Sequence, residues 1–209
     1  MTFDFIFWDN DGVLVDTEGL YFQASREALA RIGYTLTPDQ FAAISLASGR
    51  SVFELATEDA VLMDELREVR NRRYAELLAG TNLLLPGVHE TVSRLGAQRG
   101  MAIVTSSRRD HFDLIHATTG LLPFFDFILC REDYREAKPH PEAYLLALQR
   151  SGRRPADCLV IEDSPRGLAA AKTAGLTCWV IPSAQAAGQD FSAADRILGD
   201  ITELSALLA

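Results

Sequence analysis

Cysteine is scarce in this chain, and what there is stands apart. Cys130, Cys158 and Cys178 form no CxxC pair, which excludes a thiolate zinc knuckle and a disulfide framework. An odd count without close spacing fits a reducing compartment. The four histidines, His89, His111, His116 and His140, lack zinc-site spacing, and structural or solvent-facing roles are expected of all four. Positive charge is in deficit: 20 Lys and Arg against 29 Asp and Glu give a net charge of −9 and a pI near 4.9. A polyanion would be repelled over most of such a surface, so no nucleic acid partner is expected. No apolar run approaches membrane length, and no basic segment precedes an apolar one at the N-terminus. A cytoplasmic, monomeric protein with no membrane partner is expected. Internal repeats, low-complexity tracts and flexible linkers are absent as well.

What is there is apolar. Hydrophobic residues make up 48% of the 209, enough for a packed core. Short β-rich runs recur: "FDFIFW" up to Asp9, "MAIVTSS" at 101–107, "FDFILC" at 125–130, "CLVIEDS" at 158–164 and "TCWVIPS" at 177–183. Continuous apolar strands suit a sheet covered on both faces. Helical patterns separate them. "PGVHETVSRLGAQRG" runs from Pro86 to Gly100, "PEAYLLALQRSG" opens on Pro141, and "SPRGLAAAKTAG" has Ser164 as N-cap, Pro165 at N1 and Gly175 as its stop. The alternation predicts an α/β fold with a doubly wound parallel sheet, Rossmann-like in its core. Residues 16–85 instead read as helices without a strand. The expected organisation is therefore an α/β core of residues 1–15 and 86–209, with a helical insert at 16–85.

The stretch "FIFWDNDGVLVDT" at 5–17 admits two readings. Asn10-Asp11-Gly12 is good hairpin-turn chemistry. Asp9 and Asp11 also suit a site at the carboxyl end of a strand, where open parallel sheets bind ligands. Parallel neighbours for the first strand favour the second. Four strand ends then bring together Asp9 with Asp11, Thr105 with Ser106, Lys138, and Glu162 with Asp163. Two carboxylates about 4 Å apart repel by ~4 kcal/mol at an effective dielectric near 20. Such a cleft demands counter-charge: Lys138 supplies one unit, and Mg²⁺ suits an all-oxygen site. Carboxylates, a dication, hydroxyls and an ammonium together point to phosphoryl transfer, without saying which aspartate attacks.

Taken together, "DNDGVLVDT", "IVTSS", "AKPHPEAY" and "VIEDSPRGLAAAKTAG" resemble the four motifs of the haloacid dehalogenase-like phosphohydrolases, in family order and over nearly the whole chain. The nearest likeness is to the subgroup of β-phosphoglucomutases and sugar-phosphate phosphatases, which carry an α-helical cap at the place of the insert. The resemblance implies Asp9 as the nucleophile forming an aspartyl-phosphate and Asp11 as acid and base. It implies Mg²⁺ held by Asp9, the Asp11 carbonyl and Asp163, with Glu162 nearby or reaching the ion through water. Thr105, the Ser106 N–H and Lys138 would bind the phosphoryl group. Arg50 and Arg70 of the cap are candidates for meeting a small phosphorylated metabolite.

Each motif alone has a plainer reading. Thr105-Ser106-Ser107 suits a helix cap, with Ser107 and Asp110 as a capping box. Lys138 alone reads as solvated, and Glu162-Asp163 as first-turn acids of a helix. Arg67, Arg70, Arg72 and Arg73 make a basic helix face that solvent alone explains. Asp16 and Thr17 are expected at a hinge, capping the insert's first helix. Joint occurrence at successive strand ends favours the enzyme. Two departures from the family pattern stand out: Asn10 replaces a frequent apolar residue, and Tyr21 stands where a mutase is expected to carry histidine. Hydrolysis of a sugar phosphate or phosphoglycolate-like compound is therefore preferred. A phosphohexomutase is the nearest rival; a phospho-accepting signalling domain or a non-catalytic binding relative are rivals of another class.

Overall fold

The computed structural model describes residues 2–48, 50–186 and 188–208. Among the described residues six strands form one sheet: β1 (Phe5–Trp8), β2 (Gly100–Val104), β3 (Phe127–Leu129), β4 (Cys158–Glu162), β5 (Thr177–Val180) and β6 (Arg196–Ile197). Every pairing is parallel, in the order β3-β2-β1-β4-β5-β6. The hairpin reading at Asn10 is excluded, because β1 is central and pairs with β2 on one side and β4 on the other. The chain order reverses between β1 and β4, and a crevice at the carboxyl ends of these strands follows from that reversal.

The all-apolar strands are explained by cover on both faces. In β1, Ile6 and Trp8 join one buried cluster with Met101, Ile103, Val92 and Ile161. Phe5 and Phe7 point the other way, into a cluster with Val104, Tyr144, Val160 and Leu168. All four β1 side chains are buried, each contributing roughly 1.5–3 kcal/mol by leaving water. The covering helices are α4 (Val88–Gly96), α5 (Arg109–His116), α6 (Glu142–Ser151) and α7 (Pro165–Thr173), with α8 (Glu203–Leu207) near the C-terminus.

Helix signals held unevenly. Ser164 caps α7 by accepting from the Gly167 N–H, Pro165 is its first residue, and Gly175 follows at φ +75°. The helix expected from Pro86 to Gly100 is shorter: Gly87 precedes it in a left-handed conformation, and Gly100 already belongs to β2. The capping box of Ser107 and Asp110 does not form; Arg108 precedes α5 with no side-chain cap, since both side chains are engaged elsewhere. The two-residue strand β6 carries too little apolar sequence to be read beforehand.

Between β1 and β2 lie α1 (Glu18–Ala30), α2 (Pro38–Phe41), a π-helical turn at Ala42–Ser48, a 3-10 turn at Val52–Leu55, and α3 (Ala60–Leu78). A separate cluster of Ala28, Leu29, Leu36, Phe41, Val52, Phe53 and Leu66 holds them together. Thr37 and Gln40 form a reciprocal capping box on α2. Thr17 precedes α1 but makes no cap bond, contrary to expectation; its hydroxyl is drawn to Asp11 instead. Among the described residues, no helix is long and apolar enough to cross a membrane.

Candidate active site

The ends of β1, β2 and β4, with the loop before α6, converge on one ammonium group. Lys138 Nζ donates to Asp9 Oδ1 at 2.6 Å, Glu162 Oε1 at 2.7 Å and the Val104 carbonyl at 2.8 Å. It also lies 3.0 Å from the Tyr144 hydroxyl and 4.7 Å from the centre of that ring. Lys138 is 3% exposed and Glu162 0%, so the plain readings of a solvated lysine and a first-turn acid are both overturned. A buried charge is tolerated only when paired and hydrogen-bonded, and this one is both.

Burial alone would lower the Lys138 ammonium, but Asp9 and Glu162 outweigh it and raise it. Burial raises Glu162 likewise, yet Lys138 and the Tyr144 hydroxyl hold it below its usual range. For Asp9, burial wins: its carboxyl is pushed up to about 7, with Lys138 opposing and Glu162 and Asp11 adding. Asp163 is raised well above its ordinary value, first by burial and then by Asp9, Glu162 and Glu18. One ammonium, paired with both Asp9 and Glu162, therefore faces three buried carboxylates.

Oxygens of Asp9, Glu162 and Asp163 lie within 4.8 Å of one another. Glu162 is occupied on both oxygens: Lys138 and Tyr144 donate to one, and the Asp163 N–H and Ser164 hydroxyl to the other. Asp163 Oδ2 is buried with no hydrogen-bond partner, an arrangement that costs about 1–3 kcal/mol or more unless something positive meets it. Hard carboxylate oxygens, one orphaned and two with raised affinity for protons, fit an oxygen-seeking dication.

Asp11 sits on the other side of the site. Its Oδ1 accepts from Thr17 at 2.5 Å, and its Oδ2 from Ser107 at 2.7 Å, Thr105 at 3.2 Å and Asn10 at 3.3 Å. Thr105 therefore points its hydroxyl at Asp11, and it also accepts from the Ser107 N–H. The Ser106 hydroxyl is buried and unpartnered at the edge of the cavity.

That cavity, of about 700 Å³, lies between the sheet ends and the helical segment. Asp9, Asp11, Ser106, Lys138 and Asp163 line its floor, and Arg50 and Arg70 line it from the segment. Among the described residues lining it are seven cationic side chains and five carboxylates, in a chain whose net charge is −9, although Arg67 and Arg108 are paired with Asp64 and Asp110 at its rim. The cavity is thus far less acidic than the chain as a whole, which suits the entry of an anion. Arg70 lies over the rings of Tyr21 (4.7 Å) and Phe53 (5.5 Å) and bonds to Asn71. Arg50 is bonded to Glu54 at 2.5 Å.

Several lining residues escaped the sequence reading. Arg108, Arg131, Arg166, Glu18 and His111 all face the cavity, and Tyr144 and Ser107 support the charges within it. Only Ser107 carried a signal, as the third hydroxyl of the "TSS" run. All three cysteines are free and buried. His111 and His116 are buried too.

A parallel sheet in this order, with carboxylates and a lysine gathered where the strand order reverses, is a doubly wound α/β fold with a ligand crevice at its strand ends. The profile of the haloacid dehalogenase-like hydrolases matches residues 3–175. The chain belongs to that family. Its similarity extends over whole proteins: it is 35% identical to protein CbbY of Rhodobacter capsulatus over 212 residues, covering 94% of this chain and 93% of that one. It is 32% identical to a phosphorylated carbohydrates phosphatase of Thermotoga maritima over 176 residues, covering 82% and 81%. A crystal structure of a CbbY mutant from Rhodobacter sphaeroides in complex with xylulose-(1,5)bisphosphate superposes with a TM-score of 0.84 at 25% identity, covering 97% of this chain and 96% of that one.

Proposed function

We propose that this protein is a Mg²⁺-dependent phosphatase that hydrolyses a small phosphorylated metabolite, of the sugar phosphate or phosphoglycolate class, through an aspartyl-phosphate. The observation that carries this reading is the asymmetry of the two aspartates. Asp9 lies among Lys138, Glu162 and Asp163, where charge is in play, whereas Asp11 is held by three hydroxyls and an amide. The relatives' names, a phosphorylated carbohydrates phosphatase and a CbbY crystallised with a sugar bisphosphate, support the substrate class.

In this reading an Asp9 oxygen attacks phosphorus and the bond to the leaving oxygen breaks. Asp11 gives that oxygen a proton, then takes one from the water that hydrolyses the acyl phosphate. Lys138 fixes Asp9 and faces the phosphoryl charge, with Thr105 and the Ser106 N–H at the adjoining strand end. Asp9, the Asp11 carbonyl and Asp163 would hold Mg²⁺, with Glu162 setting Lys138 beside them. The ion supplies charge neutralisation for the phosphoryl oxygens and for the carboxylates.

The helical segment 16–85 acts as a cap over a core of 1–15 and 86–209, carrying Arg50 and Arg70 to the substrate's far end. Tyr21, packed against Tyr74 and beneath Arg70, offers no imidazole for a mutase. A reducing, cytoplasmic compartment agrees with the three free thiols, and we take the enzyme to act as a monomer. The test is phosphate release from a panel of phosphorylated metabolites, with Mg²⁺ and with chelator. Release that needs Mg²⁺ is expected; interconversion of hexose phosphates without release would favour a mutase instead.

A further inference from the structure

One buried polar chain is left over from the chemistry described so far. Asn10 is 0% exposed, and His116 and Thr119 are buried beside it. Asn10 Oδ1 lies 2.8 Å from His116 Nε2, and His116 Nδ1 lies 2.9 Å from the Thr119 hydroxyl. At its other end Asn10 Nδ2 lies 3.3 Å from Asp11 Oδ2. These residues come from the end of β1, the last turn of α5 and the loop beyond it, so nothing local in the sequence brings them together.

The direction of the chain is fixed by its end. Asp11 Oδ2 takes the Ser107 and Thr105 hydroxyls as well, so it accepts even when Oδ1 carries the proton that Asp11 delivers, and the Asn10 amide must turn its NH₂ to Oδ2 and its carbonyl to His116. His116 must then present an N–H at Nε2, which leaves Nδ1 bare to accept the Thr119 hydrogen. The nearest competing acceptor for that hydrogen is the His116 carbonyl, at 3.5 Å. Thr119 Oγ1 in turn accepts from the Leu121 N–H. Burial lowers His116 to about 4, consistent with the neutral tautomer this order requires. Every donor thus points toward Asp11.

We propose that Asn10, His116 and Thr119 are positioning residues whose hydrogen-bonded chain fixes the orientation of the Asp11 carboxyl for proton transfer to the leaving oxygen. The three hydroxyls on Asp11 can each rotate and follow it, whereas the planar Asn10 amide, clamped by a buried ring, sets one angle of approach. An apolar residue at position 10 would leave that angle to the hydroxyls alone. The inference rests on Asp11 acting as general acid.

The test uses a series of aryl phosphates running from p-nitrophenyl phosphate, whose leaving group needs no proton, to phenyl phosphate, whose leaving group does. Values of kcat/KM are compared for the native enzyme, Asn10→Leu, His116→Leu, His116→Gln, Thr119→Val and Asp11→Asn, with folding checked by thermal melts. For Asn10→Leu and His116→Leu we expect a loss of about tenfold on phenyl phosphate, against less than about threefold on p-nitrophenyl phosphate. His116→Gln keeps a donor near Nε2 and restores most of the loss. The double variant of Asn10→Leu with His116→Leu falls no further than the worse single variant. Should Asn10→Leu not fold, His116→Leu and Thr119→Val carry the same comparison.

Equal losses on both substrates, no loss on either, or multiplying effects in the double variant would overturn the proposal. If Asp11→Asn steepens the dependence on leaving group and the other variants do not, the chain alone is refuted. If Asp11→Asn does not steepen it, the role of Asp11 is refuted and the proposal with it.

Discussion

Gly12 lies directly against Asp163. A β-carbon built on the glycine would stand 2.7 Å from Asp163 Cγ and overlap its unpartnered Oδ2. Gly12 also has φ +85°, a conformation that costs any other residue of order 1 kcal/mol or more. Gly12→Ala should therefore displace the carboxylate assigned to the metal. The expected result is a rise of about tenfold or more in the Mg²⁺ concentration needed for half activity, read from metal titrations of phosphate release, in a protein that still melts cooperatively. An unchanged titration would mean that Asp163 does not hold the ion.

Glu162 faces Gly167 in the same way: a β-carbon there would overlap its carboxylate. The acid is fully buried and neutralises Lys138. Removing its charge leaves the ammonium with Asp9 as its remaining carboxylate partner. Glu162→Gln should cost about 3–5 kcal/mol of stability in urea unfolding. Tyr144→Phe, which removes one hydrogen bond to the same oxygen, should cost about 1–2 kcal/mol. Comparable small losses for both would show that the Lys138 pair is not the anchor of the site.

His116 makes stability depend on pH. Its folded value, lowered by burial to about 4, lies below the ordinary value near 6.5, so the unfolded chain binds the extra proton first. The contribution is complete above about pH 6.5 and is lost as pH falls toward 4, for a total of about 3 kcal/mol. His116→Gln should flatten this part of the profile in urea titrations between pH 4 and 7. A native profile equally steep with and without the imidazole would contradict the assignment.

Arg70 is held over Tyr21 and Phe53 in the wall of the cavity. If it meets the part of the substrate that does not react, its loss removes binding common to ground and transition states. Arg70→Ala should raise KM by about tenfold while kcat changes less than about threefold. Arg70→Lys should recover little, because an ammonium neither stacks nor forks. A fall in kcat at constant KM would place Arg70 in the chemistry.

How much of this was legible depended on whether the determinant was local. The strands at Asp9, Thr105 and Glu162 could be read because two-sided burial leaves continuous apolar runs, and α7 because Ser164, Pro165 and Gly175 mark its ends. The gathering of Asp9, Lys138, Glu162 and Asp163 followed from placing those ends on one edge of a parallel sheet. What could not be read were partners fixed by tertiary distance. Tyr144 looks like any core residue of a helix, yet its hydroxyl bonds Glu162. Thr17 and Ser107 looked like helix caps, and the Asp11 carboxylate draws both hydroxyls away. His116 carried no spacing signal, because its partner Asn10 lies on another element.

The central claim is that Asp9 takes the phosphoryl group. Phosphate release by Asp9→Asn, against the native enzyme at saturating Mg²⁺ and on the best substrate of the panel, tests it most directly. The amide keeps the shape and cannot form an acyl phosphate, so turnover should fall on the order of 10⁴-fold or more while the thermal melt stays cooperative. Turnover within about tenfold of native would contradict the assignment of the nucleophile.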